Sequence, residues 1–199
     1  LLLRIVCHDK AANKLPQKPI GHDGNIFAND CVEIFVKPNG SVAEYFHLAA
    51  NAAGDQYDAK AVGPMKFDLA WDPEWKVKTS RQQDAWVLDV LIPFASFDVI
   101  PAPGMEWKIA IKRSHRPSDN IPNSGWPDAS YHNAGGFGTV KFSAPGAVEK
   151  GPLVIYNSTP DADVVSVELR SHGWVVENGP EALSALENPQ AIILYYRSD

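Results

Sequence analysis

The sequence predicts a mainly β fold, an antiparallel β-sandwich followed by a truncated α/β segment. Over residues 1–145, short apolar runs of strand length are separated by turn residues, and we find no convincing amphipathic helix. Many short strands with turn signals between them are typical of a β-sandwich. After residue 145, strand-like and helix-like runs alternate, which indicates a βαβαβ segment.

The runs in the first part have the pattern of half-buried strands. Residues 86–92 place large apolar side chains at every second position, from Trp86 to Ile92, and Asp89 falls on the opposite face. This period of two is the strand signature. Turn-forming segments such as Pro-Asn-Gly at residues 38–40 separate the runs. The predicted strands occupy residues 1–7, 31–37, 44–50, 75–79, 86–92, 107–112 and 139–142.

The second part begins after a linker at residues 143–146 that contains Pro and Gly. Its first helix would be capped by Thr159 or Asp161 and would end before Gly173. The βαβαβ order favours a right-handed parallel unit. The predicted strands are residues 153–156, 174–176 and 191–196, and the predicted helices are residues 161–172 and 180–186.

This second part is too small for a complete doubly wound domain, since residues 151–199 make up only 49 positions. We therefore expect a β-sandwich domain over residues 1–145 and the front of a second domain over residues 146–199. In outline alone, the second part is similar to the start of a flavodoxin-like or class I glutamine-amidotransferase-like domain. An outline of this kind supplies no catalytic residue.

Composition argues against two kinds of partner. The net charge is −6, and no run of Lys and Arg resembles a nucleic-acid footprint. No apolar segment approaches the roughly 20 residues of a membrane-spanning helix. The chain begins within a strand-like run without a signal peptide, so we expect a fragment of a longer protein. Cys7 and Cys31 could pair or could be two small buried thiols.

A Gly- and Pro-rich loop at residues 120–138 contains Trp126, Tyr131 and His132. Aromatic side chains on such a loop often form a contact surface. Flat aromatic rings beside amides and carboxylates suit a sugar, which has an apolar C–H face and a polar hydroxyl edge. Alternatively, Trp126 folds back and closes one end of the core, because Trp is buried on average.

Carboxylates inside apolar strands are candidates for chemistry. Glu33, Glu44 and Asp89 each interrupt an apolar run. A glycosidase needs two such groups on either side of a bond, whereas a sugar-binding protein needs one to accept hydroxyl protons. The same positions also fit the solvent-facing side of half-exposed strands.

Loop oxygens give a weak indication of calcium, because Asp23, Asn25, Asn29 and Asp30 are close in sequence without forming an EF-hand pattern. The histidines lack the spacing of a zinc site. There is no Walker loop, dinucleotide fingerprint or nucleophile elbow.

Several motifs in order resemble the family 9 carbohydrate-binding modules. The run Asn-Asp-Cys-Val-Glu-Ile-Phe at residues 29–35 is similar to the family's D-x-V-E-x-F strand. Residues 45–58 resemble its next strand and Asn…Gly turn, and residues 86–94 resemble its E-x-x-I-P-F strand, with Asp for Glu. Residues 104–107, Arg113, residues 125–126 and residues 137–138 follow in the family's order. The resemblance covers nearly all of residues 1–143, and it implies that the N-terminal strands of a complete module are missing.

The resemblance implies a β-sandwich that binds polysaccharide or oligosaccharide without cleaving it, attached to a larger carbohydrate-active protein. It implies an extracellular or periplasmic location, a role in carbohydrate catabolism, and further domains in the same polypeptide. Binding would require no cofactor, and a bound calcium ion would be structural. No catalytic residue is implied. The implied sugar-binding residues are Trp126, Phe27, Glu33, Asn123, Arg113 and His47.

Each implied role comes from position. Trp126 matches one of two tryptophans that clamp a terminal sugar in the family, and Phe27 stands at the position of the other. Glu33 matches a carboxylate that binds hydroxyl groups, and Asn123 lies where an amide is expected. The family's Arg on the next strand has no counterpart, and His47 is nearest to it. Arg113 is an additional hydrogen-bond donor in this scheme.

Two other functions stay open at this point. The first is a glycoside hydrolase that uses strand carboxylates such as Glu33 or the incomplete C-terminal domain. The second is a haem-binding electron-transfer domain, since Met65, Met105 and several His residues are present. No Met lies in a recognisable haem-ligand motif.

Overall fold

The computed structural model describes residues 1–16, 18–41, 43–116 and 123–142, together with the backbone of three later strands. Two sheets pack face to face, which confirms the predicted β-sandwich. The strands are β1 Leu2–His8, β2 Cys31–Lys37, β3 Tyr45–Asn51, β4 Gln56–Gly63, β5 Lys66–Asp68, β6 Lys76–Arg81, β7 Ala85–Leu91, β8 Glu106–Ser114, β9 Ser124–Trp126, β10 Gly138–Lys141, β11 Leu153–Asn157, β12 Val176–Asn178 and β13 Ala191–Tyr196.

The first sheet has the order β12-β11-β13-β1-β7-β6. Its central pair, β1 and β7, is antiparallel, with Ile5 opposite Leu88. Both side chains point into the core, as their alternation predicts. Among the described residues, β6 is the edge strand on one side of this pair.

The second sheet has the order β10-β8-β2-β3-β4-β5, and β9 also pairs with β8. β10 pairs with residues 106–109 of β8 and β9 pairs with residues 111–113, so the two short strands share one edge of β8. On its opposite edge, β8 pairs through residues 108–114 with the whole length of β2.

The main core lies between the sheets, and β2 is buried on both of its faces. Val32, Ile34 and Val36 pack in the core, whereas Glu33 and Phe35 project to the outer face and are buried there as well. An outer face of a sheet normally meets water, so other segments must cover it. The covering segments are the 3-10 turn Ile26–Ala28 and the loop before β10, whose aromatic rings contact Phe35 and its neighbours.

The C-terminal strands β11, β12 and β13 pair in parallel, as the βαβαβ order predicts. β13 also pairs in parallel with β1. The linker at residues 143–146 and the helices at residues 161–172 and 180–186 lie outside the described residues. The division into domains at residue 145 stays a prediction.

The two cysteines are free and buried, so the interpretation as two small thiols is confirmed. Burial raises the pKa of Cys7 to about 12 and also raises the pKa of Cys31. Within the described part of the chain, no helix is long and apolar enough to cross a bilayer.

Candidate functional site

Aromatic and imidazole rings gather on the outer face of the second sheet. The alternation of β2 and β3 sends Phe35 and His47 to this face, where the two residues are directly opposite each other. Neighbouring strands and loops add the other rings. This surface, called the aromatic face below, consists of Phe27, Phe35, Tyr45, His47, Tyr57, Phe67, Tyr131, His132 and Phe137.

A buried polar pair lies at the centre of the aromatic face. Glu33 is 5% exposed and His47 is 3% exposed. His47 Nε2 is 3.0 Å from Glu33 Oε2, and Ser114 donates to Glu33 Oε1 at 2.8 Å. A buried carboxylate is costly unless its oxygens have partners. The imidazole and the hydroxyl provide these partners and fix the carboxylate in one orientation.

The imidazole of His47 is held by rings on all sides. Phe35 stacks on it at 4.3 Å between centroids, with an interplanar angle of 11°. Phe27, Tyr57 and His132 lie 5.9, 5.3 and 5.4 Å away. These contacts restrict His47 to the orientation that faces Glu33.

Four residues of the aromatic face reach the protein surface. Phe27, Tyr57 and Tyr131 are half-buried, and His132 is exposed. Phe27 and Tyr57 contact edge to face at 5.0 Å. These rings therefore enclose the polar pair while keeping part of their surface available to a ligand.

Hydrogen bonds fix the two rings that come from the loop before β10. Tyr131 donates to the carbonyl of Arg113 at 3.1 Å, and Tyr45 Oη is 2.9 Å from His132 Nδ1. Burial raises the pKa of Tyr131 to about 12, so its hydroxyl keeps its proton at neutral pH. Burial also lowers the pKa of His132, with a smaller contribution from His47.

The same loop is attached to the sheet by a buried lysine. Lys112 Nζ donates to the carbonyl oxygens of Pro127 and Ala129. The ammonium also lies 5.9 Å from the centre of the Tyr131 ring. Desolvation by burial lowers the pKa of Lys112. This side chain thus positions Tyr131 and His132 over the outer face.

The structure brings together three of the six sugar-binding residues that the sequence predicted. Phe27, Glu33 and His47 lie on the aromatic face, within one set of contacts. The other three lie elsewhere.

Trp126 covers the opposite side of the sheet. It is paired with Ile111, whose side chain packs in the core between the sheets. A Cβ on Gly138 would collide with the Trp126 ring, and Gly138 is paired with Ile109 on that same core side. Paired residues of antiparallel strands project to one face. The half-buried Trp126 therefore lies on the core side of the sheet edge.

Arg113 belongs to a buried ionic cluster at one end of the core. It is 4% exposed and donates to both carboxylate oxygens of Asp30, at 2.9 and 2.7 Å. A third bond goes to the carbonyl of His8 at 2.7 Å. These contacts make Arg113 a structural ion-pair partner and direct it away from the aromatic face.

Asn123 is exposed at the entry to β9, and its Oδ1 accepts the backbone N–H of His115 at 3.3 Å. It does not join the contacts around Glu33 among the described residues.

Sequence reasoning missed Tyr57, Phe67 and Ser114 as members of the site. Tyr57 and Phe67 lie on β4 and β5, which have no clear apolar alternation and were not predicted as strands. Tyr131 and His132 lie in the loop that the sequence did predict as a contact surface. The prediction for this loop named Trp126 as the sugar-binding residue and did not include Tyr131 or His132.

Of the four loop residues predicted for calcium, Asp30 already has other partners. Both oxygens of Asp30 are engaged by the Arg113 guanidinium, and Trp86 Nε1 also donates to Asp30 at 3.2 Å. The guanidinium thus provides the positive charge near Asp30 that a calcium ion would bring. Asp30 therefore has little capacity left for a metal.

Two of the three predicted strand carboxylates, Glu33 and Asp89, lie in different sheets. Glu33 lies on the outer face of the second sheet, whereas Asp89 lies in the first sheet and binds Arg4 at 2.6 Å. A hydrolytic pair needs two carboxyl groups within about 10 Å on either side of one bond.

Met105, a candidate haem ligand, accepts from Trp107 Nε1 at 3.3 Å, and Met65 is 71% exposed.

No protein-family model and no curated protein sequence matches this chain. Solved structures do resemble it. A candidate carbohydrate-binding protein from Bacteroides uniformis is 19% identical over 71% of this chain and 72% of its own, with a TM-score of 0.53. A family 9 carbohydrate-binding module from Caldicellulosiruptor kristjanssonii, in complex with glucose, is 15% identical over 74% of each chain, with a TM-score of 0.50.

A cellotriose complex of a family 9 module from the same organism is 17% identical over 67% of each chain, with a TM-score of 0.44. The first two structures confirm the predicted fold, and the second of them is a family 9 module. Identities this low leave the ligand of this chain to be argued from its own site.

Proposed function

We propose that the chain is a non-catalytic carbohydrate-binding module and that the aromatic face is its sugar site. The observation that carries the proposal is the set of rings around the buried Glu33–His47 pair. A sugar ring has an apolar C–H surface and a rim of hydroxyl groups. It therefore matches a site in which aromatic planes surround a few oriented polar atoms. The glucose complex of a module with the same fold supports the proposal.

Phe27 and Tyr57 would supply the apolar contact. Each ring is half-buried, and their edge-to-face contact at 5.0 Å restrains both. Rings that are already restrained lose little conformational entropy when a ligand packs against them. This arrangement favours stacking of a sugar on preformed surfaces.

Glu33 would orient the sugar through its hydroxyl groups. Among the described residues, His47 is the partner of one carboxylate oxygen and Ser114 is the partner of the other. A carboxylate oxygen can accept a second hydrogen bond. Charge-assisted bonds of this kind are stronger than neutral ones. The exposed ring of His132 and the hydroxyl of Tyr131 would provide further polar contacts at the rim.

The wider setting is also proposed. The module would belong to a larger extracellular or periplasmic protein of polysaccharide catabolism and be covalently linked to further domains. Sugar binding would need no cofactor, and any calcium would have a structural role. The motifs shared with family 9 modules and the confirmed sandwich fold support this setting.

Calorimetric titration of the full chain with glucose and cello-oligosaccharides tests the proposal, and a glycan array identifies the preferred sugar. Truncating a central aromatic anchor typically costs roughly 2 kcal/mol, which is about thirtyfold in affinity. We expect Phe27→Ala and Tyr57→Ala to weaken binding by that order. The melting temperature should change little, because both rings are half-buried.

Trp126→Ala is the matched control, since it removes an aromatic ring from the other side of the sheet. It should leave sugar affinity nearly unchanged. Loss of binding in Trp126→Ala, with normal binding in Phe27→Ala, would place the site at β9 and contradict the aromatic face. Turnover of an aryl glycoside by the purified chain would contradict the non-catalytic assignment.

A further inference from the structure

We propose that His22, Asp58 and Asp72 form a binding site for a divalent transition metal, with Zn²⁺ as the ion that fits best. One ligand atom from each residue lies within 4.8 Å of the other two. The three side chains come from the loop before β2, from β4 and from the segment before β6. A bound ion would therefore join three parts of the chain that are distant in sequence.

The buried carboxylate of Asp58 is the strongest indication of a missing cation. Asp58 is 1% exposed. Its Oδ2 atom is 2.9 Å from His22 Nε2 and accepts from Trp75 Nε1 at 3.0 Å. Its Oδ1 atom is buried and has no hydrogen-bond partner among the described residues.

A buried carboxylate oxygen without a partner destabilises the fold, because it has lost its water without replacement. A cation held by Asp58 would compensate this charge and supply the absent partner.

A fourth side chain would support the imidazole from outside the metal site. His22 Nδ1 lies 3.4 Å from Asp23 Oδ2, while Nε2 faces Asp58. A metal-bound imidazole commonly donates its second N–H to a carboxylate, which fixes the ring and makes it a better ligand. Asp23 is positioned for that role.

The donor set decides between metals. Calcium and magnesium take oxygen ligands, whereas imidazole is suited to zinc and to later first-row transition metals. One imidazole and two carboxylates give three ligands, and water would complete the tetrahedron that zinc prefers. His22 and Asp72 are exposed, so an ion could enter from solvent.

A second cluster of similar composition shows the contrast. Asp9, Asp30 and His115 also lie within reach of a common ion, but Arg113 is already there, 2.7 Å from Asp30 and 3.5 Å from Asp9. No cation of this kind lies beside Asp58 among the described residues; its ionic partner is His22. The proposed zinc site is therefore the cluster of His22, Asp58 and Asp72 alone.

Zinc chloride titration of the full chain, freed of metal with a chelator, tests the proposal. Calorimetry or competition with a zinc indicator gives the affinity and the stoichiometry. We expect one zinc per chain and a higher melting temperature with zinc. His22→Ala and Asp72→Asn alter exposed ligands, so both variants should fold. Each should weaken zinc binding by at least about tenfold, the lower range seen for changes around a metal.

Asp84→Asn is the control, because it removes an exposed carboxylate outside the cluster, and it should bind zinc like the unchanged chain. Absence of zinc binding would overturn the proposal, as would binding that His22→Ala and Asp72→Asn leave intact. Tighter binding of calcium than of zinc would also overturn it. Sugar affinity is measured separately, so failure here is distinguishable from failure of the aromatic face.

Discussion

The two faces of the second sheet are equally buried in β2 but are built for different purposes. On the inner face, Val32 and Ile34 pack in the core, and Arg113 forms ion pairs at its end. On the outer face, Glu33 and Phe35 are covered by half-buried rings and a loop. Inner groups are covered by a second sheet and serve stability. Outer groups lie beneath rings that are only half-buried, so part of this cover faces solvent.

The largest loss of stability is expected for a variant of the inner face. Arg113→Met removes the cation from buried Asp30 and should reduce the free energy of unfolding by about 3–5 kcal/mol, because an uncompensated buried charge remains. Urea unfolding followed by Trp fluorescence measures it. The control is Arg4→Met, which breaks the exposed pair with Asp89 and should cost less than about 1 kcal/mol. Equal effects in the two variants would contradict the structural role of Arg113.

The next effect concerns the edge where Trp126 lies over Gly138. Gly138→Ala should destabilise the fold by about 1–3 kcal/mol, because the new methyl group meets the indole ring. In a Trp126→Ala background the same change should cost much less, since the obstacle is gone. Thermal unfolding of the two single variants and the double variant measures this coupling. Additive effects would show that the ring does not cover Gly138.

An effect of similar size tests Ser114, which lies beneath the rings of the outer face. Ser114→Ala removes the donor to Glu33 Oε1, which should cost about 1–3 kcal/mol of stability. We also expect weaker sugar binding, because the carboxylate loses one of the contacts that orient it. Unfolding and sugar titration of the same variant measure both. Unchanged sugar affinity would mean that Glu33 does not contact the ligand.

The smallest effect is a titration at the rim. Burial lowers the pKa of His132, so its imidazole should titrate below the ordinary value of 6.5. The unfolded chain then binds the proton more tightly than the folded chain. The contribution of His132 to the free energy of unfolding is therefore fully present above pH 6.5. It decreases as the pH falls from 6.5 through the lower pKa of the folded chain. Proton NMR, assigned with His132→Ala, measures the pKa, and a value above 6.5 would contradict this prediction.

Much of the sandwich was predictable because strands such as β2 and β7 carry a strong apolar alternation. β4 and β5 were not, since Gln56–Gly63 mixes polar residues with alanine. The buried polar pair of the site was partly predictable, because Glu33 and His47 lie in motifs that resemble those of a family. The placement of Trp126 was not, since it depends on which residue of β8 pairs with β9. The Arg113–Asp30 bond spans 83 positions, and no local pattern reveals such a pair.

Among the described residues, β6 is an edge strand of the first sheet, and an edge strand can pair with another copy of the chain. β6 reads Lys-Val-Lys-Thr-Ser-Arg, and the side chains of Lys76, Lys78 and Ser80 are exposed. An unpaired strand is a template for another strand, and lysines on it make such pairing unfavourable because two copies would bring like charges together. The lysines of β6 thus disfavour aggregation of the chain through this edge, even at high concentration.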